Sequence, residues 1–152
     1  MIGTMERTDQ QILALLARDG RMSFTEIGRA TGLSTSAAQQ RVRRLEQRGL
    51  ITGYHAELNA ELLGRKLTAI ISVRALNATR DDDIPGVLAA MPEISTCFSV
   101  AGDASYVCVA QVADPGELDS LLTRIRHMAK VSTSTTVALT THFLNRPLVN
   151  EP

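Results

Sequence analysis

"LSTSAAQQRVRRLEQRGLITGY", residues 33–54, sets the terms on which this chain is read. Four arginines and one glutamate crowd into a stretch whose apolar residues keep helical spacing. On a helix over 34–48, Ala38, Val42 and Leu45 fall in one narrow stripe. Ser36, Gln39, Gln40, Arg43, Arg44 and Gln47 fall on the opposite side, while Arg41 and Arg48 lie near the edge of the buried stripe. A solvated helix surface intersperses Glu with Arg in i, i+4 pairs. Here Glu46 is the only acid, and the outward face has none. Glutamine can bond adenine edges, and arginine takes guanine edges or phosphates. A helix of this width fits the major groove of B-DNA. Its N-terminus favours an anion. The candidate DNA contacts are Ser34, Thr35, Ser36, Gln39, Gln40, Arg43 and Arg44.

The residues on either side support a recognition helix. Thr8 with Gln11 has the form of a capping box, followed by Ile12, Leu13, Leu15 and Leu16. "RDG" at 18–20 stops that helix. Ser23 with Glu26 forms a second capping box, opening a helix with Ile27 and Ala30. Gly32 turns the chain, Ser34 or Ser36 caps the third helix, and Gly49 ends it. "LITGYHAEL", 50–58, is strand-like. Short helices, a glycine turn and a longer helix make a helix-turn-helix order. With the strand that follows, it is of the winged type.

Whole-chain charge hides this arrangement. The 152 residues carry 16 Lys/Arg and 16 Asp/Glu, but residues 1–65 hold nine Arg against seven acids. Aromatic content is only 3%, which leaves little for stacking on exposed bases and disfavours single-strand or RNA recognition. The sequence contains no run of eighteen apolar residues, and "MIGTMERTDQ" lacks a signal-peptide core. A cytoplasmic, nucleoid-associated protein without a membrane partner is expected. Cys97 and Cys108 sit in apolar runs and read as buried, reduced thiols before any catalytic or disulfide use.

The second half alternates differently. "KLTAIISVRA", 66–75, reads as a strand with Leu67, Ala69, Ile71 and Val73 on one side. Asp81 to Asp83 precede a helical stripe of Ile84, Val87, Leu88 and Met91, which Pro92 terminates. "ISTCFSVA" and "SYVCVAQVA" read as strands joined at Gly102-Asp103. Asp114, Pro115 and Glu117 open a helix with Leu118, Leu121, Leu122 and Ile125, and "STSTTVALTTHF" is a last strand. The order β-α-β-β-α-β is the ferredoxin-like plan. The fold class is thus α+β: a winged-type helix-turn-helix domain over 1–60, a linker to about 65, and a βαββαβ sandwich over 66–152. Two helices cover only one sheet face. Ile70, Cys97, Tyr106, Cys108, Ala110 and Val112 are expected to give the other strand faces apolar character, which favours self-association.

In both halves the sequence resembles the leucine-responsive regulatory protein/AsnC, or feast/famine, regulators. The resemblance lies in "TDQQIL", "DGR", the "LS" before the third helix, "RVRRLE" and "GLITGY", then "VAGDASYVCVAQV" and "KVSTSTTVAL". It covers about residues 5 to 143 and implies a transcription regulator that responds to amino acids. It further implies dimers formed through the C-terminal sheets, assembling to tetramers or octamers. The family often carries prolines where this chain has Thr35 and Ala37, and its hairpin commonly reads Gly-any-any-Asp-Tyr. Here the hairpin is Gly102-Asp103-Ala104-Ser105-Tyr106, with Ser105 replacing the usual aspartate. Gly102, Asp103, Ala104 and Ser105 are the candidate effector contacts.

Other classes find less support. His55, His127 and His142 are scattered, without HExxH, CxxC or a glycine-rich phosphate loop, so neither enzymatic activity nor a cofactor is expected. Asp81 to Asp83 read as caps and dipole partners before they read as a metal site. The main rival is an architectural DNA-wrapping protein with no effector. It would share the same motifs, but its footprint would be the same on all DNAs and unchanged by amino acids.

Overall fold

The computed structural model describes residues 5–76 and 83–149. The chain forms two compact units: one from the residues up to Glu57 and from Phe143 onward, the other from Leu58 to His142. The tail from Phe143 therefore belongs with the first unit, a departure from a single boundary near residue 60.

The first unit contains α1 (Arg7–Arg18), α2 (Phe24–Thr31) and α3 (Thr35–Gln47). Ile12, Leu13, Ile27, Ala38, Val42 and Leu45 form its core, joined by partly buried Leu16, Leu50 and Val149. The capping box at Ser23 and Glu26 is present in full, and Ser34 caps α3 by accepting from the Ala37 N–H. The box expected at Thr8 is not formed. Helix α1 begins at Arg7, with Glu6 in the N-cap position. A tertiary ion pair sets this start: the Glu6 and Asp9 carboxylates both meet Arg41 on α3. Helix α3 ends in a Schellman motif. Leu50 N–H donates to Leu45 O and Gly49 N–H to Glu46 O, with Gly49 at φ 71°.

The strand expected over 50–58 is absent, and with it the wing. Residues 52–58 pair with no strand among the described residues. An isolated strand needs a neighbouring edge, and this unit is otherwise helical. Instead, Tyr54 donates its hydroxyl to Glu46 Oε1 at 2.9 Å.

The second unit contains β1 (Leu67–Ala75), α4 (Ile84–Ala89), β2 (Ile94–Ser99), β3 (Tyr106–Val112), α5 (Pro115–Ala129) and β4 (Val131–Ala138). The sheet is antiparallel in the order β2-β3-β1-β4. Asp114 caps α5, with Pro115 at its first position. Asp83 occupies the N-cap of α4 without a side-chain bond, and Asp81 and Asp82 lie outside the described residues.

The faces of β3 differ from the expectation. Tyr106, Cys108, Ala110 and Val112 are not on the outer face. They are buried in the same core as Ala69, Ile71 and Val73, together with Leu88, Leu121 and Ile125. The register sets this arrangement by placing Ala69 opposite Ala110, Ile71 opposite Cys108 and Val73 opposite Tyr106. "YVCVAQV" is apolar in both strand phases, so alternation alone could not choose between them. The outer face carries Ile70 and Val109 as a cross-strand pair, and Phe98 beside Val107. Ile70 is 42% exposed and Phe98 57%.

Candidate functional site

The first candidate surface is α3. Ala38, Val42 and Leu45 point into the core, which turns Thr35, Ser36, Gln40, Arg43, Arg44 and Gln47 outward, all exposed; Gln39 is half-buried. The turn before α3 is held from both sides. Thr25 and Thr35 hydroxyls meet at 3.4 Å, and a Cβ on Gly28 would lie 2.6 Å from Leu33 O. Helix α2 can approach the turn this closely only because Gly28 has no side chain.

The four arginines of the opening stretch divide into two classes. Arg41 bonds Asp9 Oδ1 at 2.8 Å and Glu6 Oε2 at 2.7 Å, and Arg48 lies 4.0 Å from Asp9 Oδ2. These two serve the packing of α3 on α1. Arg43 and Arg44 make no ion pair or hydrogen bond among the described residues. Glu46, the one acid of the stretch, receives the Tyr54 hydroxyl. Burial, then Glu46, pushes that phenol up to about 12. Ser34 is engaged as the cap, with its Oγ 3.2 Å from both Ala37 N and Ser36 Oγ.

The second candidate lies on the outer face of the sheet unit, at the end where the β2–β3 loop meets β1. A cavity of about 460 Å³ opens there, lined by Asp103 and Ala104 of the loop, Ser72 and Arg74 of β1, and Ser132 to Ser134 of β4. Val100 N–H closes the loop by donating to Ser105 O at 3.0 Å. Gly102 has φ 146°, which an L side chain rarely adopts, so it shapes the loop. Of the four residues expected to hold an effector, Asp103 and Ala104 line the cavity, whereas Gly102 and Ser105 do not. Ser105 ties the loop down instead: its N–H donates to Val73 O at 2.9 Å, and its Oγ accepts from Ala75 N–H at 3.4 Å.

Sequence reasoning missed Ser72, Arg74, Ser132 and Ser134. They come together because the β1–β4 register places Ser72 opposite Ser134 and Arg74 opposite Ser132. The "STST" run and the strand over 66–75 were each visible in the sequence, but the register that pairs them was not.

These two surfaces correspond to known domains. Residues 5–46 match the AsnC-type helix-turn-helix domain, and residues 68–148 match the Lrp/AsnC ligand binding domain. The chain is 41% identical over 142 residues to the HTH-type transcriptional regulator LrpA of Mycobacterium tuberculosis, covering 93% of this chain and 95% of that protein. It is 35% identical over 120 residues to the leucine-responsive regulatory protein of Haemophilus influenzae, covering 78% of this chain and 72% of that one. The solved structure of the M. tuberculosis feast or famine regulatory protein complexed with L-methionine shares its fold at a TM-score of 0.91 and 40% identity. That comparison covers 95% of this chain and 99% of that one. With both halves matched in the same order, this chain belongs to the Lrp/AsnC family of transcriptional regulators, with a helix-turn-helix DNA-binding domain and a ligand-binding domain.

Proposed function

We propose that α3 enters the major groove of double-stranded DNA and reads a specific operator. Arg43 and Arg44 contact phosphates, and Gln39 and Gln40 contact base edges. Ser34, Thr35 and Ser36 place the helix start against the backbone. The carrying observation is that Arg43 and Arg44 lack intramolecular partners among the described residues while Arg41, on the same helix, is paired with Asp9.

The outer sheet face, with Ile70, Phe98, Val107 and Val109, packs against a second copy to give a homodimer. Dimers assemble further into tetramers or octamers. An amino acid binds the cavity beside Asp103 and shifts assembly or DNA affinity, by analogy with the relative crystallised with L-methionine. The setting is the cytoplasm, on the nucleoid.

Fluorescence anisotropy over a salt series tests the DNA assignment. Arg43→Ala and Arg44→Ala each lower the salt slope by about one and weaken binding to all sequences. Gln39→Ala and Gln40→Ala change base preference by about 1–3 kcal/mol for each bidentate pair of hydrogen bonds to a base. Unchanged affinity in the double arginine variant overturns the assignment. For assembly, sedimentation of Ile70→Asp and Phe98→Asp full-length chains shows smaller species than wild type.

A further inference from the structure

Helix α3 has four apolar residues, and three of them, Ala38, Val42 and Leu45, are buried in the core. Ala37 is the fourth. It is half-buried, on the side of the helix that carries the exposed Gln40 and Arg44. At 100° per residue these three span an arc of about 60°. With Arg41 they line an open notch of about 390 Å³ on the helix surface. Arg41 is a fixed wall, because Asp9 and Glu6 hold its guanidinium at 2.8 and 2.7 Å. The side chains of Gln40 and Arg44 make no hydrogen bond or ion pair among the described residues. The notch thus has unengaged polar groups at its rim and one methyl group at its base.

Local helix chemistry does not ask for alanine here. Ala37 follows its cap Ser34 as Glu26 follows Ser23 in α2. There Glu26 accepts from the Ser23 N–H at 2.8 Å and completes a capping box. Helix α3 has only half of that box: Ala37 N–H donates to Ser34 Oγ, and alanine cannot return the bond. A glutamate would repel phosphates, but a glutamine would return the bond without the charge. Repulsion alone therefore does not account for alanine, whereas a surface that needs a small apolar group does. Of the base edges in the major groove, that of thymine carries a methyl group, and alanine is among the residues that contact it.

We infer that Ala37 determines specificity: its methyl packs on the C5-methyl of a thymine, beside the base pair whose adenine Gln40 reads. Ala37 and Gln40 lie about 4.5 Å apart along the helix axis, close to one base-pair step of about 3.4 Å. Arg44, about 6 Å further along, reaches the phosphates at the rim of the groove. The inference rests on the reading that α3 enters the major groove at a specific operator.

Selection by the full-length protein from a fully randomised duplex pool, then fluorescence anisotropy on the recovered duplex, tests it. Deoxyuridine replaces each thymine in turn and removes only the C5-methyl. At one thymine of the half-site, next to the base pair whose preference Gln40→Ala relaxes, wild type binds about fourfold more weakly, the worth of one methyl group. Ala37→Gly and Ala37→Ser bind the thymine and uracil duplexes equally there, and their salt slope stays that of wild type. Gln40→Ala keeps the thymine preference. If no thymine methyl matters, or its effect persists unchanged in both Ala37 variants, the inference is overturned while the operator reading stands. If every duplex in the pool is bound alike, the operator reading itself fails, and this inference with it.

Discussion

The Arg41 guanidinium on α3 donates to the Asp9 carboxylate on α1 at 2.8 Å, and Asp9 is only 4% exposed. The pair fastens the proposed recognition helix to the first helix near the edge of the core. Asp9 and then Glu6 raise the Arg41 pKa above its ordinary value. Removing Asp9 leaves Arg41 with only the exposed Glu6 and takes from Arg48 the carboxylate 4.0 Å away. Asp9→Ala should therefore destabilise the protein by about 1–3 kcal/mol. Urea unfolding of Asp9→Ala, Arg41→Ala and the double variant measures it. The double variant is destabilised by less than the sum of the singles, because the two groups act as one unit.

Two helical glycines give opposite expectations for the same substitution. A Cβ on Gly28 would lie 2.6 Å from the Leu33 carbonyl, whereas one on Gly86 meets nothing within 4 Å. Gly28→Ala should cost about 1–3 kcal/mol through overpacking. It should also weaken DNA binding by displacing the turn that carries α3. Gly86→Ala should stabilise by about 0.5–1 kcal/mol through helix propensity. Thermal melts of the two variants move in opposite directions.

Acid sensitivity of the sheet unit centres on Glu93, which is 9% exposed and whose Oε1 accepts from Arg124 on α5. Burial acts to raise its pKa. Hydrogen bonds from its own backbone N–H and from Arg124 outweigh that and hold the carboxyl below the ordinary range. Its folded pKa thus lies below the unfolded one. The contribution to stability is present above the unfolded value of about 4.3 and is lost as pH falls through the folded value. In Arg124→Ala, burial acts with less opposition, so the rise in stability between pH 3 and 5, roughly the window around that value, flattens or reverses. Urea midpoints across the window distinguish the two profiles.

Cys97 and Cys108 face each other across β2 and β3, yet they differ in access. Cys97 is exposed, whereas Cys108 is buried. Burial, then the hydrogen bond with Cys97, pushes the Cys108 thiol up to about 12. The thiolate is the reactive form, so Cys108 is inert in the folded protein. A chromogenic disulfide reagent should titrate one thiol rapidly and the second only after denaturation. Cys97→Ser removes the fast phase.

Local sequence was enough to set most element types and the outward side of the third helix. Ala38, Val42 and Leu45 admit only one buried stripe, so the opposite residues are exposed whatever surrounds them. The capping box at Ser23 and the helix stop at Gly49 were legible for the same reason: both are local, fixed by groups within a few residues of each other. The β-α-β-β-α-β order was legible because strand and helix periods differ.

Features that depend on a distant partner emerged only in the folded chain. The start of α1 follows from Glu6 and Asp9 meeting Arg41, more than thirty residues away, and not from the local cap at Thr8. The phase of β3 is set by its register with β1, because both of its faces are apolar. The strand expected after Gly49 found no edge to pair with in its unit. The cavity exists because β1, β4 and the β2–β3 loop bring together serines, Arg74 and Asp103 that no sequence spacing links. Local patterns fix which way a side chain faces; pairing between remote segments fixes what it meets.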